Sequence, residues 1–262
     1  MLSMFPLEIE ETILDILAED DPDERHSAMK KCSLVCKAFL PICRKHIFRS
    51  IVLNHYNMVS SLTTHAFERL LRETPEIADY IRKLDYRVIE ADFELASPSI
   101  QAIEESLKQI SRLEFLTVQQ TTRLYPWSSN PIRPALLQLL HLPTLTHFKV
   151  SNIVDFVVSD LIPCINLKYL DIGFDLTEAA KPIFSAALPQ HSIQLNEFVA
   201  GTGSPTLIMK LCTAQRPDGR PIIDFGSLSK MTLGLDSPNE GEASQELLRR
   251  CHVLTNVDIF CK

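Results

Sequence analysis

Leu113-Glu114-Phe115-Leu116-Thr117-Val118 places apolar residues at the first, fourth and sixth positions of a six-residue phrase. The phrase recurs as Phe48/Ile51/Leu53, Ile81/Leu84/Tyr86, Leu145/Phe148/Val150, Leu167/Leu170/Ile172, Leu195/Phe198/Ala200, Leu228/Met231/Leu233 and Leu254/Val257/Ile259. Successive first members lie 33, 32, 32, 22, 28, 33 and 26 residues apart. Side chains alternate along a strand, so the fourth and sixth members share one face, and that face is apolar. The chain therefore predicts one short strand per unit, repeated eight times.

Helical segments are predicted between the phrases. Residues 100–110 carry the helical apolar period, with Ser97 and Pro98 as cap and first turn. Pro134 to Leu142, Phe156 to Ile162 and Ala243 to His252 read the same way. Strand–turn–helix units in series bury their apolar sides only by stacking on one another. The phrase resembles the strand of a leucine-rich repeat, whose period is roughly 20–29 residues. That resemblance implies an α/β fold in which residues 51–262 form an irregular leucine-rich-repeat-like solenoid with a parallel sheet. The ninth position of each unit, usually Asn or Cys in that class, reads Ile89, Thr121, Ile153, Asp175, Gly203, Asp236 and Lys262 in the last seven units. No asparagine ladder is available, so the turns must be satisfied otherwise. The uneven periods are also compatible with a different α/β arrangement.

Residues 1–50 read differently. Pro6 suits the first turn of a helix, where its missing N–H would have no partner. Ile9, Ile13, Ile16 and Leu17 then form one helical face, and Leu7 and Leu14 lie on another. An acidic break at residues 18–24 separates this helix from a second apolar stripe of Met29, Leu34, Val35, Ala38 and Phe39, continued after Pro41 by Ile42, Ile47, Phe48 and Ile51. Charge is segregated. Residues 8–24 hold nine acids and no Lys or Arg, whereas residues 25–49 hold seven bases and no acid. The two halves can attract each other, or the basic half can face an acidic partner. Three short helices bury too little surface to stand alone, so a partner or the following domain is expected to cover them.

Phe5-Pro6-Leu7-Glu8 together with Leu34-Val35-Cys36-Lys37-Ala38-Phe39 resembles an F-box, and the wording through Arg49 resembles F-box proteins abundant in mushroom-forming fungi. The resemblance covers about a fifth of the chain and departs at Phe5, where Leu is commoner. It implies that residues 1–50 are a three-helix module binding an adaptor of the S-phase-kinase-associated (Skp) family, and through it a cullin. The residues implied in adaptor contact are Phe5, Pro6, Leu7, Glu8, Ile13, Leu14, Leu17, Leu34, Val35, Cys36, Lys37 and Phe39. The chain would then be the substrate receptor of an SCF-type cullin-RING ubiquitin ligase, with the repeats holding a target protein whose identity the sequence does not reveal. The alternative is an interaction scaffold outside ubiquitination, or a ligand sensor built on the solenoid.

Residues flanking the buried strand positions should point onto the concave face of such a solenoid. They include Lys83, Asp85, Arg87, Phe115, Thr117, Gln119, His147, Lys149, Ser151, Tyr169, Asp171, Glu197, Val199, Lys230 and Thr232. Their mixture of charge and aromatic rings fits a solvated sheet face or a protein-recognition surface. Trp127, in a long loop of Leu124-Tyr125-Pro126-Trp127, is compatible with a lid over the repeat or an anchor for a partner, and burial against its own domain is the reading expected.

Composition agrees with an ordinary globular chain: 262 residues, 45% hydrophobic, 23% charged, net charge −7. No apolar run approaches the roughly 20 residues of a membrane helix, and the acidic N-terminus does not read as a secretory signal. A cytoplasmic or nuclear protein is expected. Seven cysteines without framework spacing fit reduced thiols, and Cys32, Cys36, Cys43 and His46 sit on apolar helix faces rather than in a zinc knuckle. The negative charge and absence of basic–aromatic interleaving argue against nucleic acid. Gly201-Thr202-Gly203-Ser204 lacks the Gly-Lys-Ser/Thr ending of a phosphate loop and reads as a turn between units. No hydrolase or zinc-protease motif occurs, and seven glycines offer little backbone for a cofactor cradle. No cofactor and no catalytic residue are expected.

Overall fold

In a computed structural model of the chain, all eight phrases form strands, and the strands lie side by side in sequence order. Description covers residues 6–17, 22–55, 61–88, 98–120, 125–128, 130–173, 191–203, 205–235 and 238–261. The strands are β1 (Ser50–His55), β2 (Lys83–Val88), β3 (Phe115–Gln120), β4 (His147–Ser151), β5 (Tyr169–Ile172), β6 (Glu197–Ala200), β7 (Lys230–Leu235) and β8 (Asn256–Cys261). They make one parallel sheet in which each strand pairs with the next along the chain.

Register follows the phrase. Ile51, Leu84, Leu116, Phe148, Leu170, Phe198, Met231 and Val257 are aligned across the sheet. So are Leu53, Tyr86, Val118, Val150, Ile172, Ala200, Leu233 and Ile259. Both columns are buried from β2 to β7. A one-residue slip would turn every one of these side chains to the opposite face, so the apolar pattern fixes the register. The backbone repeats too. Arg49 O accepts from the N–H groups of Arg82 and Lys83, both at 2.9 Å. Arg82, Glu114, Thr146, Lys168, Asn196 and Ser229 carbonyls receive the same paired bonds from the following unit. The strand entries thereby satisfy their polar groups without an asparagine ladder. One turn uses Asn152, which adopts φ 54° and donates its Nδ2 to Gln120 O at 2.8 Å.

The helices are α1 (Leu7–Leu17), α2 (Pro22–Cys32), α3 (Phe39–Ile47), α4 (Ser61–Glu73), α5 (Pro98–Leu107), α6 (Arg133–Leu140), α7 (Pro205–Thr213) and α8 (Pro238–Arg250). Four open on proline, whose fixed φ and missing N–H suit that position. Helix α4 packs on α5, α5 on α6 and α7 on α8, and their inner faces join the buried strand columns in one core. Two helices, α4 and α7, were not expected from the periodicity. Conversely, the helix predicted over Phe156 to Ile162 contracts to a single 3-10 turn at Val158–Leu161. Among the described residues no helix is long and apolar enough to cross a membrane.

Trp127 is fully buried, as its sequence context predicted. Its indole Nε1 donates to Asp160 Oδ2 at 2.8 Å, its ring packs on Phe156, and the Arg133 guanidinium lies 6.0 Å from its centre. Burial pushes the Cys212 thiol up to about 11 and raises Cys164 and Cys43, so these side chains are packing groups at neutral pH.

Candidate docking surfaces

Helices α1 to α3 enclose a small core of their own, made of Leu14, Met29, Ile42 and Cys43, with Leu17, Cys32, Phe39 and Ile47 packed against it. Helix α2 begins at Pro22, so the expected acidic break ends sooner than predicted, and residues 18–21 lie outside the described ones. The continuous apolar stripe expected from Met29 to Phe39 does not form. After Cys32 the chain tightens into turns, with Ser33 N bonded to Met29 O at 2.9 Å and Val35 N to Cys32 O at 3.0 Å. Ser33 Oγ also donates to Lys30 O at 2.7 Å. Those bonds end the helix and turn Leu34 and Val35 outward, leaving Leu34 86% exposed.

Helix α1 has the two faces its spacing requires. Leu14, 1% exposed, points into the small core, while Ile9, Ile13 and Ile16 lie on the outside, Ile16 being 61% exposed. Leu14 and Leu17, implied by the resemblance to touch an adaptor, contribute to this inner packing, Leu17 being partly buried. Ile13, Pro6, Glu8, Leu34, Val35, Cys36 and Lys37 are exposed, and Phe39 is half-buried against the core. Phe5 lies outside the described residues, and Leu7 is the first residue of α1. The sequence list omitted Ile9 and Ile16, which belong to the same exposed face. Fully burying one such side chain yields about 1.5–3 kcal/mol, so this face and the Leu34–Val35 turn hold several kcal/mol of unrealised stabilisation. The segregated charge is partly spent internally. Lys45 Nζ lies 3.3 Å from Glu11 and His46 Nε2 lies 3.0 Å from Asp15, tying α3 to α1.

The second surface is the sheet face away from the helices. Its first row runs Lys83, Phe115, His147, Tyr169, Glu197 and Lys230 on adjacent strands. Strand spacing of about 4.8 Å suits ring stacking. Phe115 and His147 stack with centroids 4.0 Å apart, and His147 and Tyr169 with centroids 5.3 Å apart. Thr146 Oγ1 donates to Glu114 O at 3.3 Å and sits 2.8 Å from His147 Nδ1.

Three pairs of opposite charges lie on this face. Lys149 Nζ lies 2.6 Å from Asp171 Oδ2, which also accepts from the Tyr169 hydroxyl at 3.4 Å. Arg87 donates to Asp85 Oδ2 through Nη2 at 2.6 Å and Nε at 2.9 Å, and Lys230 Nζ lies 2.8 Å from Glu197. Burial, with Asp171 close by, pushes the Tyr169 phenol up to about 12. Asp171, expected to point out onto this face, is only 7% exposed because Lys149 and Tyr169 cover it. Asp85 Oδ1 is buried and has no hydrogen-bond partner among the described residues. Gln119 and Ser151, aligned with Arg87, complete the row nearest the strand ends.

The chain matches no protein-family model and no curated protein. Geometry alone therefore bears on function. Two surfaces result: an exposed apolar face on the helical module, and an aromatic ladder flanked by paired charges on the sheet.

Proposed function

We propose that this chain is the substrate receptor of an SCF-type cullin-RING ubiquitin ligase. The helical module resembles an F-box and docks on a Skp-family adaptor. The sheet, read as the inner face of a leucine-rich-repeat-like solenoid, holds the target protein. One observation supports the reading most: the apolar residues at the module's outer face, Ile9, Ile13 and Ile16 with Leu34 and Val35, are exposed although the module has its own buried core. Exposed apolar patches of this kind mark interaction sites. The resemblance had already placed Ile13, Leu34 and Val35 at the contact.

The role is one of proximity. The chain brings a target to a conjugating enzyme held elsewhere in the assembly and raises its effective concentration there. Its own residues bind and orient. On the sheet, the Phe115–His147–Tyr169 ladder offers rigid rings, and the neighbouring ion pairs set the orientation of a charged segment laid across them. Co-purification with a Skp-family adaptor tests the first step. Replacing Pro6 and Leu34 with charged residues should abolish it while the sheet stays folded, and unchanged capture would remove the adaptor reading. Transfer of ubiquitin to a bound protein by the reconstituted assembly tests the second step.

A further inference from the structure

A cleft of about 470 Å³ opens where the helical module meets the first strands of the sheet. That volume falls within the range of about 300–1,000 Å³ typical of small-molecule sites. The strand-entry hydrogen bonds place Arg49 and Arg82 side by side just before β1 and β2, since Arg49 O accepts from Arg82 N. Both arginines line the cleft, so two like charges share it. Arg112 lines the same cleft from the approach to β3.

The acids in the cleft are engaged. Glu11 pairs with Lys45, Asp15 with His46, and Asp79 Oδ1 accepts from Ser111 Oγ at 3.3 Å. Arg82 is held in place by its own backbone contacts, Nη1 donating to Asp79 O at 2.6 Å and Ile81 O at 3.1 Å, with Nε 3.6 Å from Glu114. Its position is thus set before any ligand arrives. No ion pair or hydrogen bond to the Arg49 or Arg112 side chain occurs among the described residues. A fixed guanidinium flanked by two unengaged ones suits a group with several anionic oxygens, because each of the two free planar forks can take two of them.

We propose that this cleft binds a small phosphate monoester, with its phosphate held by Arg49, Arg82 and Arg112. Because the cleft joins Lys45 and His46 of α3 to Arg82 and Arg112 of the sheet, the bound ester ties the helical module to the sheet. The two parts also meet through an Arg44–Glu76 contact at 3.9 Å. Ligand binding then stabilises the folded chain by mass action.

Calorimetric titration of the full chain with glucose 6-phosphate and with inorganic phosphate, at matched ionic strength, tests the proposal. Saturable binding of the ester is expected, together with a rise in unfolding temperature. Arg49→Gln and Arg112→Gln should each weaken it about tenfold, the scale of one charged hydrogen bond. Both side chains are exposed, so the variants should fold normally. Arg69→Gln, on α4, should bind as the parent does. Absence of saturable binding, or equal binding by the Arg49 and Arg112 variants, would overturn the proposal. Capture by anionic vesicles without binding of the soluble ester would overturn it too.

Discussion

The imidazole of His147 stacks on the ring of Phe115, with centroids 4.0 Å apart and planes inclined by 25°. Because the rings occupy the same row of adjacent strands, the contact follows from register rather than from a loop. It makes a protonatable group part of a surface read here as the target-binding face.

Burial holds the His147 imidazole below its ordinary value of 6.5, against the opposing influence of Glu197 and Glu114. The folded chain therefore takes up a proton at this ring less readily than the unfolded chain. As pH falls below about 6.5 the unfolded state is protonated first, and stability declines until pH passes the lower folded-state value. His147→Phe preserves stacking and removes the titration. Urea midpoints of the two proteins should run parallel above about pH 7 and diverge below about 6.5, the parent losing more.

Trp127 should be a stability determinant rather than a contact for partners. Trp127→Ala leaves a large void beside Phe156 and should cost about 3–5 kcal/mol in urea unfolding. Trp127→Phe keeps most of the packing but withdraws the donor from Asp160, leaving Arg133 Nη2 at 2.8 Å, and should cost about 1–2 kcal/mol.

Gly234 in β7 passes close to the Gly201–Thr202 turn. A Cβ there would stand 2.7 Å from Thr202 N and 2.8 Å from Thr202 Cγ2. Gly234→Ala should destabilise by about 1–3 kcal/mol, since the neighbour is backbone and cannot swing aside. Gly241, inside α8, has nothing within 4 Å of its added Cβ. Gly241→Ala should stabilise by about 0.5–1 kcal/mol through helix propensity. Thermal unfolding of both variants checks the opposite signs.

Much of the sheet was legible because one period served eight times: Leu84, Leu116 and Phe148 align where their phrase positions said they would. Helix α7 was missed because Leu207-Ile208-Met209 is a continuous apolar run, which carries no clear helical or strand period. Helix α4 carries Thr63-Thr64, poor helix formers, in its first turn, and its buried Phe67 and Leu71 were too few to stand out. At the N-terminus, the two faces of α1 were legible, but the inward choice of Leu14 over Ile13 was not. That choice depends on Met29, Ile42 and Cys43 arriving from α2 and α3. The arginine cleft had no signal in sequence, since Arg49, Arg82 and Arg112 come together only through strand pairing.

Inner and outer faces of α1 should respond to substitution in opposite ways. Leu14→Ala should unfold the helical module at a cost of about 2–5 kcal/mol while the sheet core persists, giving a separate early transition in thermal unfolding. Ile13→Asp lies on the exposed side and should leave the unfolding profile within about 0.5 kcal/mol of the parent.

The affinity of the full chain for a purified Skp-family adaptor, with and without Ile13→Asp and Leu34→Asp together, is the most direct test of the receptor reading. The parent should bind, and the double variant should bind at least about a hundredfold more weakly, as expected for two central apolar anchors, with its thermal unfolding unchanged. A parent chain that does not bind the adaptor, or a double variant that binds it equally well, would contradict the account.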